Sequence, residues 1–560
     1  MRRNVVFGLI LLFVGIPTAK ADNLMRIAQE ELNRTQKFLF AQEEPAYWVG
    51  LNISDSFEEI IRVEDGGAFP IEDSHQRYAD IDVRVGDISF DNTHPLRDSS
   101  LFGEDVHFGT WLPIEDKQQA IQSILWQEFD RAYRHSLRRL TKLRSNDAIK
   151  VEMEDKSADF SLYPAQKELL PLHDHHLTPE QRQYWTRELK NHSIDLAEGV
   201  EILSSGLRLH VERVDSYILN TEGTRIRNQR IHYRLSVYAR TKADDGMDIQ
   251  VYDYVDAHSL DRLPTTEKIA SMVQKSREKL FALRAAPVVE PYVGPAILRG
   301  RAAAVFFHEI LGHRIEGHRQ KDEQEGQTLA GKVGEEIVPT FISISDNPSL
   351  SQWNDVDLNG YYRYDDEGSK GQDVSIVEDG ILKAFVMSRA PIEGFSQSNG
   401  HGRREPGEAV VARQGNLIIS ASTTVSYEEL RQSLKKEIQE QGKPFGLIFD
   451  DISGGFTFTG RNSPNSYSVQ PVTVWKVYAQ ERPDELVRGV DLIGTPLLTF
   501  GRIMQASNST QVFNGICGAE SGYVPVSAIA PDMLIKEVEV QRKEKDVDLP
   551  PIIEAPRGVQ

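Results

Sequence analysis

The sequence predicts an α+β protein: two N-terminal α+β domains, then a mainly antiparallel β, partly barrel-like C-terminal domain. Three observations carry this. Helical apolar spacing and strand-like alternation interleave through residues 22–286. From about residue 287 glycine is frequent and the apolar runs are short, with one clear helix among them. The 560 residues are 39% hydrophobic and 26% charged, a globular mix that excludes a fully disordered chain or a fibrous rod.

Residues 1–21 read as an export leader. Arg2 and Arg3 precede the apolar run Val5–Ile16, and Ala19-Lys20-Ala21 is a small-x-small cleavage signature, making Asp22 the mature first residue. Twelve apolar residues fall short of the ~20 that a spanning helix needs, and no later stretch is long and apolar enough. The expectation is a soluble protein that is periplasmic or secreted, with no stable membrane span after leader removal.

The first domain, 22–112, opens with helical spacing over 24–40. Strand-like runs follow at Tyr47–Ile53 and Ile81–Ile88, with Gly66-Gly67 as a turn signal between them. The second domain, 113–286, opens with an amphipathic helix over 115–145, where Ile121, Ile124, Leu125, Phe129 and Tyr133 keep the 3–4 spacing. Thr178-Pro179-Glu180 starts another helix, over 178–204. Strands at 208–219, 229–241 and 248–257 precede a helix over 265–285 capped by Thr265 or Thr266. The third domain, 287–542, has its clear helix at 427–441 and strands at 409–420, 467–479 and 534–542. Residues 543–560 mix charge and proline and read as a disordered tail.

Acidic residues outnumber basic ones 84 to 64, a net charge of −20. That disfavours nucleic acid as a partner, because phosphate binding needs clustered Lys and Arg. One cysteine, Cys517, excludes an intrachain disulfide.

Chemistry concentrates in 302–318, AAAVFFHEILGHRIEGH. Two neutral imidazoles, His308 and His313, beside the carboxylate of Glu309 are what a catalytic zinc needs: nitrogen ligands and a base for water. The spacing is i,i+5. In a regular helix five residues turn ~500°, so the side chains diverge by about 140°. They share a metal only if the helix widens or breaks near Gly312; otherwise one histidine is core and the other surface. Cys517, in Gly515-Ile516-Cys517-Gly518, is either a buried small hydrophobe or a soft third ligand, which would complete an open His₂Cys set.

These residues carry a resemblance. HEILGHRIEGH resembles the HExxxH motif of the TldD/PmbA metallopeptidase family. Asp365–Gly368 (DDEG), Glu378–Lys383 (EDGILK), Gly402–Glu405 (GRRE) and the cysteine loop Gly515–Val526 resemble further family segments, in family order across about 290–542. The resemblance implies a zinc-dependent peptidase acting on unfolded or flexible peptides. It implies zinc on His308, His313 and Cys517, Glu309 as the catalytic base, and a homodimer or a heterodimer with a family paralogue. The chain keeps the motif, as the catalytic TldD-like type does. It departs in its leader and in His318, where the better-known sequences have Asp.

The competing reading is a non-catalytic peptide-binding or assembly subunit with a structural zinc. Glu316 could support a ligand or be a surface acid. His318 could replace Cys517 as third ligand. Arg403 and Arg404 could bind a substrate carboxylate, or could pair with Glu405 or Asp366 to fix a loop. Asp355–Gly360 opens like a calcium loop but reads better as a turn between strands. His173–His176 is an exposed loop cluster.

Overall fold

The computed structural model describes residues 23–95, 107–147, 155–174, 176–199, 202–322, 325–461 and 466–543. The expected leader (1–21) and residues 544–560 of the expected tail lie outside these described residues.

The protein is α+β. Its N-terminal half is built on one eight-stranded sheet. The strands are β1 (Ala46–Glu64), β2 (Glu72–Val85), β3 (Phe108–Trp111), β4 (Ile202–Asn220), β5 (Arg225–Lys242) and β6 (Asp248–Ala257), with two short strands at 67–68 and 167–169. Strands from 22–112 and from 113–286 share this sheet, because β1 and β4 pair continuously from Gly50↔Asn220 to Glu64↔Gly206.

Two separate cores sit on one face of it. At one end Val49, Leu51 and Ile53 pack with α1 (Asn23–Leu39) and α2 (Gln118–Asp147). At the other, Ile61 and Val63 pack with α3 (Pro179–Ala197) and α4 (Thr266–Ala285). These β1 positions share one parity, so they share one face. Between them Asp55 and Glu59 are buried too, and Asp55 accepts from Arg77 at 2.7 Å and meets His75 at 2.7 Å. This charged belt separates the cores. The sequence therefore shows two hydrophobic clusters where the backbone shows one sheet.

Helix ends follow local chemistry. Thr178 caps α3 in a reciprocal box with Gln181, with Pro179 in the first turn. Thr265, of the two candidate threonines, caps α4.

The opposite, polar face of the sheet meets the C-terminal half. Asn52 donates to the Asp366 carbonyl and Tyr254 to the Asn514 carbonyl. That half contains an eleven-stranded mixed sheet. Its principal elements are β7 (Tyr292–Leu298), α5 (Gly300–Ile310), β8 (Ile342–Asp346), β9 (Asn416–Ala421), α6 (Tyr427–Glu440), β10 (Gly446–Thr457), β11 (Tyr467–Val477), β12 (Val490–Gly494), β13 (Ile503–Ala519) and β14 (Gly522–Arg542). Pairing runs β14–β12–β11–β10–β7 and returns from β7 to β14, closing a five-stranded ring. The barrel character is thus real but local. Most pairs are antiparallel; β9–β14 and β7–β10 are parallel. Helix α5 packs on β14, β10 and β13, and every residue from Ala302 to Ile310 is buried. A helix apolar on all sides belongs in a core.

The Asp355–Gly360 segment holds the end of a tight turn at Asn354–Asp355 and the short strand Val356–Asp357 that follows it. The Asp357 carboxylate is held by Arg262 Nε and the His258 amide, both at 2.8 Å.

Candidate metal centre

Helix α5 is the spine of the site. Its first amide, Gly300 N, donates to the buried carboxylate of Asp532 on β14 at 2.7 Å. Phe306 packs edge-on against Tyr467, and Phe307 stacks on Phe500. So anchored, the helix delivers His308 and Glu309 on its last turn.

The helix then breaks. It ends at Ile310, Leu311 lies at φ −114°, ψ −45°, and Gly312–Arg314 form a 3₁₀ turn. Arg314, itself buried, donates to the Glu309 and Ile310 carbonyls at 3.3 and 3.0 Å, satisfying acceptors exposed by the early stop. Burial, with Arg319 nearby, pushes its guanidinium down to about 10. Gly312 is needed for space: an added Cβ would lie 2.0 Å from Gln414 Oε1. The break brings the His308 and His313 rings to 5.3 Å, centroid to centroid.

Cys517 comes from the β13–β14 hairpin, paired with Val524 just before the turn. Its Sγ lies 3.2 Å from His308 Nε2 and 3.4 Å from His313 Nε2. A tetrahedral zinc bonded at ~2.0–2.1 Å to nitrogen and ~2.3 Å to sulfur sets each N···S separation near ~3.5 Å. Both N···S separations lie close to that value, and the three donor atoms all fall within 4.8 Å of one another, so the donor set suits zinc. Burial opposes ionisation of the thiol, but the two imidazoles outweigh it and hold Cys517 well below the usual thiol range. That is the form a metal ligand needs.

Glu309 is not among the converging donors. It lines the adjoining cavity, and burial raises its carboxyl above the ordinary range, against the pull of His308 and His313. The cavity, of about 890 Å³, lies between the polar face of the N-terminal sheet and the C-terminal half. Arg234 and Tyr254 line one side; Ser453–Thr457 of β10 and Asn514–Glu520 line others. One edge of β10 pairs with β11. Over 451–457 the other edge has no strand partner among the described residues.

Glu316 is buried beneath His313, 3.4 Å from its Nδ1, and accepts from Arg319 at 2.8 Å. Burial opposes its ionisation, yet His313 and Arg319 hold it at about 2. His308 Nδ1 has no hydrogen-bond partner among the described residues. His318 is not brought to Cys517; it pairs with Glu520. Glu316, His318 and Glu520 form a second cluster of potential donors, but Arg319 lies between its carboxylates, bonded to both.

The remaining candidates lie off the cavity wall. Arg403 donates to the carbonyls of Gln414 and Pro525 at 2.8 and 2.7 Å, so it braces strands instead of facing substrate. The Arg404 backbone amide donates to Asp366 at 2.8 Å, while its guanidinium pairs with Asp80 at 3.7 Å. In the His173–His176 loop, the His176 ring meets Phe57 at 5.5 Å, on the helix-bearing side of the N-terminal sheet. The residues not anticipated are Arg314, Arg319, Arg413 and Glu520. Three sit inside or beside the motif segments, and only their closeness in sequence to ligands could have marked them. Arg413 had no such signal.

Residues 292–542 match the profile of the PmbA/TldA metallopeptidase C-terminal domain. A metalloprotease of Methanothermobacter thermautotrophicus is 26% identical over 327 residues, 58% of this chain and 67% of that protein. A protein of Saccharolobus solfataricus named zinc metalloprotease TldD homolog is 26% identical over 248 residues, 44% of this chain and 51% of its own length. The matches thus span half to two thirds of these curated relatives. In fold, the chain is similar to TldE from Thermococcus kodakarensis. The TM-score is 0.61 at 14% identity, covering 92% of this chain and all of that one.

Proposed function

Because the chain belongs to the PmbA/TldD metallopeptidase family, we propose that it is a zinc-dependent peptidase that hydrolyses unfolded or flexible peptides. The observation that carries this reading is the convergence of His308, His313 and Cys517 beside Glu309 on a wide cavity. Zinc, when bound, supplies a Lewis acid that acidifies water and polarises a carbonyl. Glu309 takes the proton of the attacking water and returns it to the leaving amine. A carboxyl raised by burial suits both halves of that task. The open edge of β10 offers backbone groups to an extended chain, a mode that selects unfolded substrates without reading their sequence.

Two further parts of the reading rest on the sequence and on kinship. Residues 1–21 support export to the periplasm or beyond, which N-terminal sequencing tests by a mature start at Asp22. Family membership and the TldE-like fold support a dimer, with a second copy or a motif-lacking paralogue.

The deciding experiment uses Glu309→Gln and Cys517→Ser. Glu309→Gln is expected to keep zinc and fold but lose peptide cleavage by ~10²–10⁴-fold. Cys517→Ser is expected to lose most of its zinc, because a neutral hydroxyl replaces a soft anionic ligand. Wild-type cleavage by Glu309→Gln would remove Glu309 as the base; no cleavage by the native protein, alone or with its paralogue, would favour a peptide-binding subunit.

A further inference from the structure

The two ligand-bearing arms of the site are about 200 residues apart in sequence. One is the turn after α5 that carries His313; the other is the β13–β14 hairpin that carries Cys517. Their separation decides whether three donors meet at one point. A residue from neither arm joins them.

Arg413 is fully buried. Its own amide donates to the His401 carbonyl at 2.9 Å, which ties it to a third segment. Its guanidinium faces both arms. Nη2 donates to the Cys517 carbonyl at 2.8 Å; Nη1 donates to Ser521 Oγ at 2.8 Å and to the Gly522 carbonyl at 3.1 Å. Nε lies 3.4 Å from Glu316 Oε1. Glu316 in turn reaches His313 Nδ1 and Arg319, and Arg319 reaches Glu520 on the hairpin at 2.7 Å. The contacts close a ring: Arg413, Glu316, Arg319, Glu520 and back along the hairpin to Arg413. Arg319 also donates to Glu325 at 2.6 Å, so each buried cation of the network meets a carboxylate, where an unpaired buried charge would be costly.

We propose that Arg413 is the positioning residue that sets the distance between Cys517 and His313, and so determines how tightly this protein holds its metal. The proposal rests on the zinc-site reading above. It needs the planar fork of arginine, whose donors point in fixed and different directions. Lysine would keep the charge but present one rotatable ammonium, unable to grip the Cys517 carbonyl, the hairpin turn and Glu316 together. Arg413→Lys therefore separates positioning from charge. Ser521→Ala removes one acceptor of the fork and leaves the buried charges intact.

The test measures the rate of zinc release to a chelator and the absorption spectrum of the cobalt(II)-substituted protein, whose thiolate band reports the Cys517 bond. Arg413→Lys is expected to weaken zinc binding ~10–100-fold, as loss of outer partners of metal ligands does, with a reduced thiolate band. Ser521→Ala is expected to move both readouts the same way by less. Native zinc release and an unchanged cobalt spectrum in Arg413→Lys would overturn the proposal. If that variant does not fold, unchanged readouts in Ser521→Ala overturn it. Failure of the zinc-site reading looks different: the native protein takes up no zinc, or Cys517→Ser retains it fully.

Discussion

Replacing Gly455 by alanine tests whether the position of Glu309, and not merely its presence, matters. Gly455 lies on β10, and a Cβ built there stands 2.9 Å from Glu309 Cγ and 2.9 Å from the Ser468 carbonyl oxygen. Carbon atoms rest at ~3.5–4.0 Å, so the methyl falls at least about 0.6 Å short of room beside Glu309. The Ser468 carbonyl belongs to β11, the strand paired with β10. Displacing Glu309 leaves the Ser468 contact in place, so the Glu309 side chain and the β10–β11 ladder both shift, and the melting temperature reports the ladder's share. A misplacement near 1 Å costs ~10²-fold in rate, or about 2.7 kcal/mol of barrier. Gly454→Ala is the control, because nothing lies within 4 Å of its Cβ. The assay is kcat/KM on an unstructured fluorogenic peptide, with zinc content and melting temperature measured on the same samples. Gly455→Ala should lose about a hundredfold in rate with zinc retained, and Gly454→Ala should stay close to native. A native rate in Gly455→Ala at full zinc content would refute the placement of Glu309 as the base.

Two expectations concern stability. Asp256 is buried; desolvation opposes its ionisation, but the bonds from His232 and Arg234 hold it at about 2. A carboxylate depressed below its unfolded value of ~3.9 stabilises fully above that pH, and the contribution is lost as pH falls toward about 2. Urea midpoints should therefore fall across pH 4 to 2 more steeply in the native protein than in Asp256→Asn, by about 2 kcal/mol over the window; equal slopes would remove Asp256 from acid unfolding. Phe306→Ala empties a fully buried position on α5 between Phe307 and Tyr467 and should cost ~3–5 kcal/mol in equilibrium unfolding. A loss under 1 kcal/mol would mean that the helix is not gripped by this core.

What the sequence made legible was whatever obeys a local rule. Helices α1 to α4 appear because each shows a 3–4 apolar stripe or a start signal to one face of a sheet. Strand β1 was read only as Tyr47–Ile53, although it runs to Glu64. Its second half, SDSFEEIIRVE, runs through the charged belt before it reaches the second core at Ile61 and Val63, so its polar residues conceal a strand. The site was legible for a different reason. A spacing of i,i+5 is wrong for a regular helix, and the contradiction itself required a break where the structure has one, between Ile310 and Gly312. Arg413 obeys no such rule. It is a buried cation 104 residues from Cys517, and its partners are two carbonyls, a hydroxyl and a carboxylate that only the tertiary fold assembles. The ligands of such a centre can be read from one dimension, because donor chemistry restricts residue type. The distances between them cannot, because the buried side chains that reach both arms find their partners only in the tertiary fold. The residues proposed to position this candidate metal centre are therefore the part of it that had to be seen in three dimensions.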